Sequence, residues 1–229
     1  MKYKIRILRQ KEKNKDPFWE EFEFETDESN MAISTVLLEI NKGLEDERKI
    51  FFEHSCLQKK CGACAMVINQ KPSLACAAKI GDYKKGVITI EPLRKFPVIK
   101  DLVVDRSILK KNLLETDAFI KDYASFDKKN TVEDSYESLK CLQCGLCLEV
   151  CPSFNHDGDF YGTAFLVPLS RMFIQEDDEK RAKDYKTHIY DKCAKSLSCR
   201  NICPMKINID NLLARSNKIA IWRKHAKSH

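Results

Sequence analysis

The chain has 229 residues, of which 43% are hydrophobic and 32% are charged, enough for one large or two modest domains. The net charge of +6 is a mild excess spread along the chain and does not indicate a nucleic-acid-binding protein. The sequence has no apolar run long enough to cross a bilayer, and the charged start MKYKIRILRQ argues against export. Its 11 cysteines cannot all pair, and without export they stay reduced, so metal or cluster ligation is favoured over disulfides.

The first hundred residues show the alternation of a sheet. Residues 2–10 and 19–26 alternate apolar and charged side chains, which predicts two strands with a hairpin connection at 10–17. Apolar residues at helical spacing from Ile33 to Ile40 predict a helix that stops at Gly43. Short strands are expected at 65–69 and 87–91.

After Pro97 the alternation disappears and segments compatible with helices dominate. Helices are predicted at 107–122, 138–150, 162–176 and 208–224. The chain is therefore expected to be an α+β protein with a mixed domain at 1–106 and a helical domain at 107–229. The segment at its end is rich in basic residues and is interpreted as a solvated helix, with contact to a membrane surface or a partner as the alternative. These residues are Arg215, Lys218, Arg223, Lys224 and Lys227, around Trp222.

The first cysteine group has the spacing C-x4-C-x2-C-x11-C, formed by Cys56, Cys61, Cys64 and Cys76. This plant-type spacing holds a [2Fe–2S] cluster through four thiolates. Small residues at 62, 63 and 65 let backbone N–H groups approach the sulfides, whereas a structural zinc site is the poorer alternative. Lys59 stands where such loops usually have glycine, and a positive φ there would cost roughly 1–2 kcal/mol.

Two further cysteine runs share one pattern. The first reads C-x2-C-x2-C-x3-C-P, with Cys141, Cys144, Cys147 and Cys151 followed by Pro152. The second has serine at its second ligand position, with Cys193, Ser196, Cys199 and Cys203 followed by Pro204. In bacterial two-cluster ferredoxins the fourth cysteine of each run binds the cluster of the other run.

This rule assigns four thiolates to one cluster and three to the other. A [4Fe–4S] cluster receives Cys141, Cys144, Cys147 and Cys203. A [3Fe–4S] cluster receives Cys151, Cys193 and Cys199. Ser196 is interpreted as the vacant corner of that cluster, with weak ligation of a fourth iron as the alternative. Zinc, or one incomplete cluster with spare cysteines, is a poorer reading of two runs that both end in Cys-Pro.

These motifs resemble the iron–sulfur subunits of succinate dehydrogenase and fumarate reductase. The segments that carry the resemblance are SCLQKKCGACAMVIN with LAC at 74–76, FPVIKDLVVD at 96–105, and the run CLQCGLCLEVCPSF with its partner run. The resemblance implies a β-grasp plant-type ferredoxin domain followed by an all-helical bacterial-type ferredoxin domain. It also implies a FAD-containing flavoprotein partner, a membrane-anchor or membrane-associated subunit, a quinone or quinol, and a peripheral place on the cytoplasmic side of a membrane.

The electron exit departs from the family pattern. Many members have tryptophans after the Cys-Pro-Ser segment, where this chain has Phe154, Asn155 and His156. Many also have histidine where this chain has Ala194. Pro152, Ser153 and His156 are the candidate quinone-site residues that remain, with an exposed loop as the alternative reading of His156. A different flavoprotein reductase with a soluble or non-quinone donor is a second expected role, and a zinc-stabilised interaction module is a third.

Overall fold

Alternating apolar residues in the N-terminal part of the computed structural model build a five-stranded mixed sheet. The strands are β1 (Lys2–Arg9), β2 (Phe18–Glu25), β3 (Ala65–Ile68), β4 (Lys71–Leu74) and β5 (Val87–Glu91), in the order β2-β1-β5-β3-β4. β1 pairs antiparallel with β2 and parallel with β5, whereas β3 is antiparallel to both β4 and β5. This is the expected β-grasp arrangement.

The structure describes residues 1–83, 86–119, 132–175 and 179–222, and the chain divides into two compact units at 1–105 and 106–229.

The core of the first unit lies between this sheet and one helix. Inward side chains of β1 and β5 are fully buried: Ile5, Ile7, Ile88 and Ile90. Helix α1 (Ile33–Lys42) buries Ile33, Val36 and Leu37, which lie on one face because of their helical spacing. At its first turn, Ile33 N donates to Ala78 O at 2.9 Å and Ser34 N to Ala75 O at 3.1 Å. These bonds hold the helix against the segment that contains Cys76.

A buried ion pair fixes the approach to the first cysteine loop. Asp101 lies between β6 (Val98–Lys100) and β7 (Val103–Val104) and is 1% exposed. Its carboxylate accepts a hydrogen bond from Arg9 Nη2 at 3.1 Å and from Phe51 N at 3.0 Å. Arg9 Nη1 also contacts Glu20 Oε2 at 2.6 Å. The chain that leads to Cys56 is therefore tied to the sheet through charges held out of water.

The described part of the second unit contains helices and no strand. Its helices are α2 (Ser107–Glu115), α3 (Val132–Leu139), α4 (Leu146–Glu149), α5 (Gly162–Gln175), α6 (Glu179–Tyr185), α7 (Ser198–Ile202) and α8 (Ile209–Asn217). Two π-helical turns extend α6 and α8, at Lys186–Tyr190 and Lys218–Trp222. None of the helices in the described ranges has both the length and the apolar character needed to span a bilayer.

Helix α5 is the centre of this unit and packs against α2, α3, α4 and α8. It starts at Gly162, which has φ +65° and lies so close to Leu148 of α4 that a Cβ atom would collide with that side chain. Most of its apolar side chains are buried, as expected for a central helix. Pro168 lies inside it and has no N–H for a helical hydrogen bond.

Helix prediction was accurate for α5 and wrong around the second cysteine group. The predicted helix 138–150 is interrupted, because α3 ends at Leu139 and α4 begins only at Leu146. The prediction at 107–122 is too long, since α2 ends at Glu115, and residues 120–122 lie outside the described ranges. The prediction at 208–224 corresponds to α8 and its π-helical turn; Arg223, Lys224 and Lys227 of the basic tail also lie outside the described ranges.

Candidate metal centres

The first cysteine loop directs backbone N–H groups at sulfur. Gln58 N and Lys60 N each lie 3.3 Å from Cys56 Sγ, and Lys59 N lies 3.2 Å from Cys76 Sγ. Lys59 has φ +60°, so it adopts the left-handed conformation that costs least for glycine. The backbone N–H of this strained lysine therefore donates to the sulfur of Cys76, the cysteine that lies outside the loop.

The thiols of this loop lie in unlike environments. Burial raises the pKa of Cys64 to about 12, whereas the N–H groups of Gln58 and Lys60 lower the pKa of Cys56 to about 7. Iron binds thiolates, so a bound iron cation would lower the pKa of both cysteines. At Cys64 it would counteract the rise in pKa caused by burial, and at Cys56 it would act in the same direction as the N–H donors. The donor set and the short loop fit a [2Fe–2S] cluster.

A second cavity brings together cysteines from both later runs. Its lining includes Cys141, Cys144, Cys147 and Cys203, around about 410 Å³ of space that includes its opening to solvent. Burial raises the pKa of Cys144 to about 11 and also raises the pKa of Cys141 and Cys147, with neighbouring thiols adding to the effect. Cys141, Cys144 and Cys147 are crowded thiols whose ionisation is disfavoured, and a cationic iron core would stabilise their thiolate forms.

A third cavity has the reciprocal composition. Cys151, Cys193 and Cys199 line it together with Ser196, around about 460 Å³ of space that again includes the opening. Each run therefore contributes its fourth cysteine to the cavity of the other run. In the described ranges, no three His, Cys, Asp or Glu side chains converge closely enough to hold one metal ion. All eleven cysteines lie in those ranges, and none is in a disulfide.

The two runs fold as a structural repeat around these cavities. Gln143 and Gly145 have φ +51° and +84°, and their counterparts Lys195 and Leu197 both have φ +55°. Ser196 occupies the position that corresponds to Cys144. Its side chain is exposed, and its Oγ lies 3.3 Å from Ser198 Oγ.

The structure separates the three candidate quinone-site residues. Ser153 lines the third cavity, and its Oγ accepts a hydrogen bond from Ala194 N at 3.3 Å. Pro152 is exposed and, like His156, is absent from the lining of that cavity. His156 Nδ1 lies 3.0 Å from Asp157 Oδ1, while its buried Nε2 has no hydrogen-bond partner among the described residues.

Two residues that the motifs did not predict contact cysteines of the second cavity. Gln143 Nε2 lies 3.2 Å from Cys141 Sγ, and Arg106 Nη1 donates to Cys144 O at 3.3 Å. The sequence places Gln143 inside the run but gives no sign of where its amide points. Arg106 is remote in sequence, so only the fold reveals its contact.

Comparisons with known proteins agree with this geometry. A 2Fe-2S iron-sulfur cluster binding domain matches residues 4–111, and a 4Fe-4S dicluster domain matches residues 137–207. The chain is 32% identical to the succinate dehydrogenase iron-sulfur subunit of Bacillus subtilis, over 93% of this chain and 90% of that protein. It is 29% identical to the fumarate reductase iron-sulfur subunit of Wolinella succinogenes, over 86% and 87% of the two chains. A chain of the Mycobacterium smegmatis Sdh1 complex has the same fold, with a TM-score of 0.82, 24% identity, and coverage of 98% of this chain and 97% of that one.

Proposed function

We infer the role of this chain from one premise: it belongs to the family of iron–sulfur subunits of succinate dehydrogenase and fumarate reductase. Members carry [2Fe–2S], [4Fe–4S] and [3Fe–4S] clusters, and the chain is an electron-transfer component of an oxidoreductase. We propose that it relays electrons between a FAD-containing flavoprotein subunit and a quinone or quinol. In this proposal a membrane-anchor or membrane-associated subunit holds it peripherally at the cytoplasmic side of a membrane.

We propose that each cysteine is a ligand of one of the three clusters. Cys56, Cys61, Cys64 and Cys76 hold [2Fe–2S], supported by the N–H groups of residues 58–60 that point at sulfur. The [4Fe–4S] and [3Fe–4S] ligands are the cysteines that line the second and third cavities, with Ser196 as the corner without iron. The reciprocal lining of these cavities is the observation that carries the assignment. In this proposal the chain positions and tunes the clusters, and succinate and fumarate are interconverted on the flavoprotein subunit.

The proposed exit lies at the third cavity. Ser153 and Ala194 close one side of it through their hydrogen bond, and Ala194, Lys195 and Ser196 are exposed. An electron at that cavity is therefore close to solvent or to a partner subunit. Ser153 is proposed to contact the quinone there, whereas Pro152 and His156, which do not line this cavity, are proposed to reach the quinone only from the loop outside it.

A second candidate function changes the redox partner and keeps the clusters. The segment after Cys151 has the buried Phe154, the exposed Asn155 and the half-buried His156. It lacks the tryptophans that help form the quinone pocket in many members of the family. A soluble or non-quinone donor would need no such pocket. Assays of the purified complex with succinate, fumarate and quinone analogues distinguish the two: electron transfer from a soluble donor, without any reaction of the quinone analogues, would favour the second candidate.

The cysteine assignment is tested by replacing, one at a time, the two cysteines that are proposed to bind the cluster of the other run. Cys203→Ser in the complete complex is expected to remove the [4Fe–4S] EPR signal of the reduced protein and to leave the [3Fe–4S] signal of the oxidised protein. Cys151→Ser is expected to do the reverse. If each variant instead loses the cluster of its own run, the crossing is wrong. If wild-type protein contains no acid-labile sulfide, the electron-transfer role fails altogether.

A further inference from the structure

Pro168 leaves one carbonyl of helix α5 without its helical partner. In an α-helix the N–H of a residue donates to the carbonyl four residues earlier, and proline has no N–H. The carbonyl that loses its partner here belongs to Ala164, which is buried at 3% exposure. A buried carbonyl needs another donor.

The side chain of Gln143 is that donor. Its Nε2 lies 2.9 Å from Ala164 O and 3.2 Å from Cys141 Sγ. An amide nitrogen has two hydrogens, so one serves each acceptor. Since both neighbours are acceptors, the nitrogen and not the carbonyl oxygen of the amide must face them, which fixes its orientation.

This arrangement is not one that packing alone would select. Gln143 Oε1 is buried without a hydrogen-bond partner among the described residues, and the backbone of Gln143 is left-handed at φ +51°. A methionine or leucine would fill the same space without a buried unpaired oxygen. The amide is therefore best explained by the two acceptors that its nitrogen serves, Ala164 O and Cys141 Sγ.

We propose that Gln143, held by the carbonyl that Pro168 frees, is a positioning residue that raises the reduction potential of the [4Fe–4S] cluster. The inference rests on the proposed function, in which Cys141 is a ligand of that cluster. One electron enters on reduction, no bond forms or breaks, and negative charge on the Cys141 sulfur increases. A hydrogen bond to that sulfur stabilises the reduced form more than the oxidised form.

The other run provides an internal control. Lys195 is the counterpart of Gln143 and contacts Cys193 Sγ through its backbone N–H, at 3.4 Å. Its side chain lies over the ring of Tyr190, at 5.6 Å from the centroid. The side-chain donor therefore distinguishes the [4Fe–4S] site from the [3Fe–4S] site.

The test is an EPR redox titration of the complete complex with Gln143→Met, Gln143→Glu and the control Lys195→Met. For Gln143→Met, the equilibrium constant for reduction is expected to fall about tenfold, which is 59 mV for a one-electron couple. Gln143→Glu, which replaces the donor by negative charge, is expected to lower the potential further. Lys195→Met should leave the [4Fe–4S] potential unchanged. Equal potentials in Gln143→Met and wild type, with full cluster content in both, would overturn the inference.

Pro168→Ala tests the anchoring step without altering the amide. The new N–H would compete with Gln143 for Ala164 O, so the side chain should loosen. We expect a smaller fall in the [4Fe–4S] potential, in the same direction as in Gln143→Met. A rise in the potential would contradict the proposed anchoring.

A measurement on wild-type protein covers the case in which the variants assemble no cluster. Labelling the glutamine side-chain amide with ¹⁵N should give a nuclear coupling in the pulsed EPR spectrum of the reduced [4Fe–4S] cluster. Absence of this coupling, with the cluster signal present, overturns the role of Gln143 and leaves the proposed function intact. Absence of the [4Fe–4S] signal itself overturns both.

Discussion

A single oxygen atom in place of sulfur distinguishes the third site from the second. Ser196 takes the position of Cys144 in the repeated turn, between Lys195 and Leu197, which adopt the same left-handed conformation as their counterparts Gln143 and Gly145. The backbone around it is therefore already arranged as in a complete run. A serine hydroxyl holds its proton far more tightly than a thiol, so it is the weaker iron ligand.

Replacing this serine should complete the site. For Ser196→Cys we expect loss of the oxidised-state [3Fe–4S] EPR signal, appearance of a second [4Fe–4S] signal on reduction, and one additional iron per chain. Ser196→Ala is the matched control, because alanine offers iron no ligand atom and the [3Fe–4S] signal should persist. An unchanged [3Fe–4S] signal in Ser196→Cys would show that the corner does not admit a fourth iron.

The strained lysine of the first loop gives a second prediction at this scale. Lys59 has φ +60°, a conformation that β-branched residues tolerate worst. Lys59→Val should therefore destabilise the loop by about 1–3 kcal/mol. Bleaching of the visible absorbance of the [2Fe–2S] cluster in the presence of chelator should be faster than in wild type. Lys60→Val is the control, since Lys60 is not among the residues with positive φ, and equal bleaching rates in both variants would refute the strain argument.

The start of α5 leaves no room for a side chain. Gly162 has φ +65°, and a Cβ atom there would collide with Leu148 of α4, whose side chain is fully buried. Helix α4 contains Cys147 and ends shortly before Cys151, so this contact also sets the position of one cysteine run relative to α5. Neither α4 nor the cysteines can move away without disturbing a cavity.

Gly162→Ala should consequently destabilise the helical unit. We expect a left-handed penalty of about 1–2 kcal/mol and an overpacking cost of about 1–3 kcal/mol. The midpoint of thermal unfolding, followed by circular dichroism, should fall by roughly 10 °C. Gly43→Ala is the control, because its nearest neighbour would be Ile40 O at 3.7 Å and its φ is −88°. A comparable loss in both variants would mean that the contact with Leu148 is unimportant.

The elements also show where sequence patterns are informative. Strands β1 and β2 and helices α1 and α5 were predictable, because burial on one face imposes a period on the residues. The predicted helix at 138–150 failed because ligand spacing requires left-handed turns at Gln143 and Gly145, and periodicity contains no information about a cluster. Ligand spacing itself is local and was readable from the sequence. The roles of Asp101 and of the Gln143–Pro168 pair were not, because each depends on contacts between distant segments.

At the scale of the whole chain, the two units should depend on iron to different degrees. The sheet unit has its own core of fully buried isoleucines, and its cysteine loop lies outside the strands. In the helical unit, α4 and α7 each lie within a cysteine run and pack against one another. Two of the three proposed clusters therefore lie among the elements that pack this unit.

Removing iron should unfold the second unit before the first. After anaerobic chelation we expect hydrogen exchange, measured by mass spectrometry, to lose protection in α4, α5 and α7 while β1, β3 and β5 stay protected, because metal binding free energy contributes to folding. Untreated holoprotein handled in parallel is the control. Equal loss of protection in both units would show that the helical unit depends no more on its clusters than the sheet unit does.

The fourth cysteine of each run lines the cavity of the other run, and this limits how the two sites can evolve and be assembled. Cys151 lines the cavity of the later run and Cys203 that of the earlier run. If these are the ligands, neither half of the repeat can form a complete site alone, and deleting either run would damage both sites. A whole run therefore cannot be gained or lost without altering both sites, although a single substitution can remove one of them. A newly synthesised chain cannot complete the earlier site until Cys203 has left the ribosome.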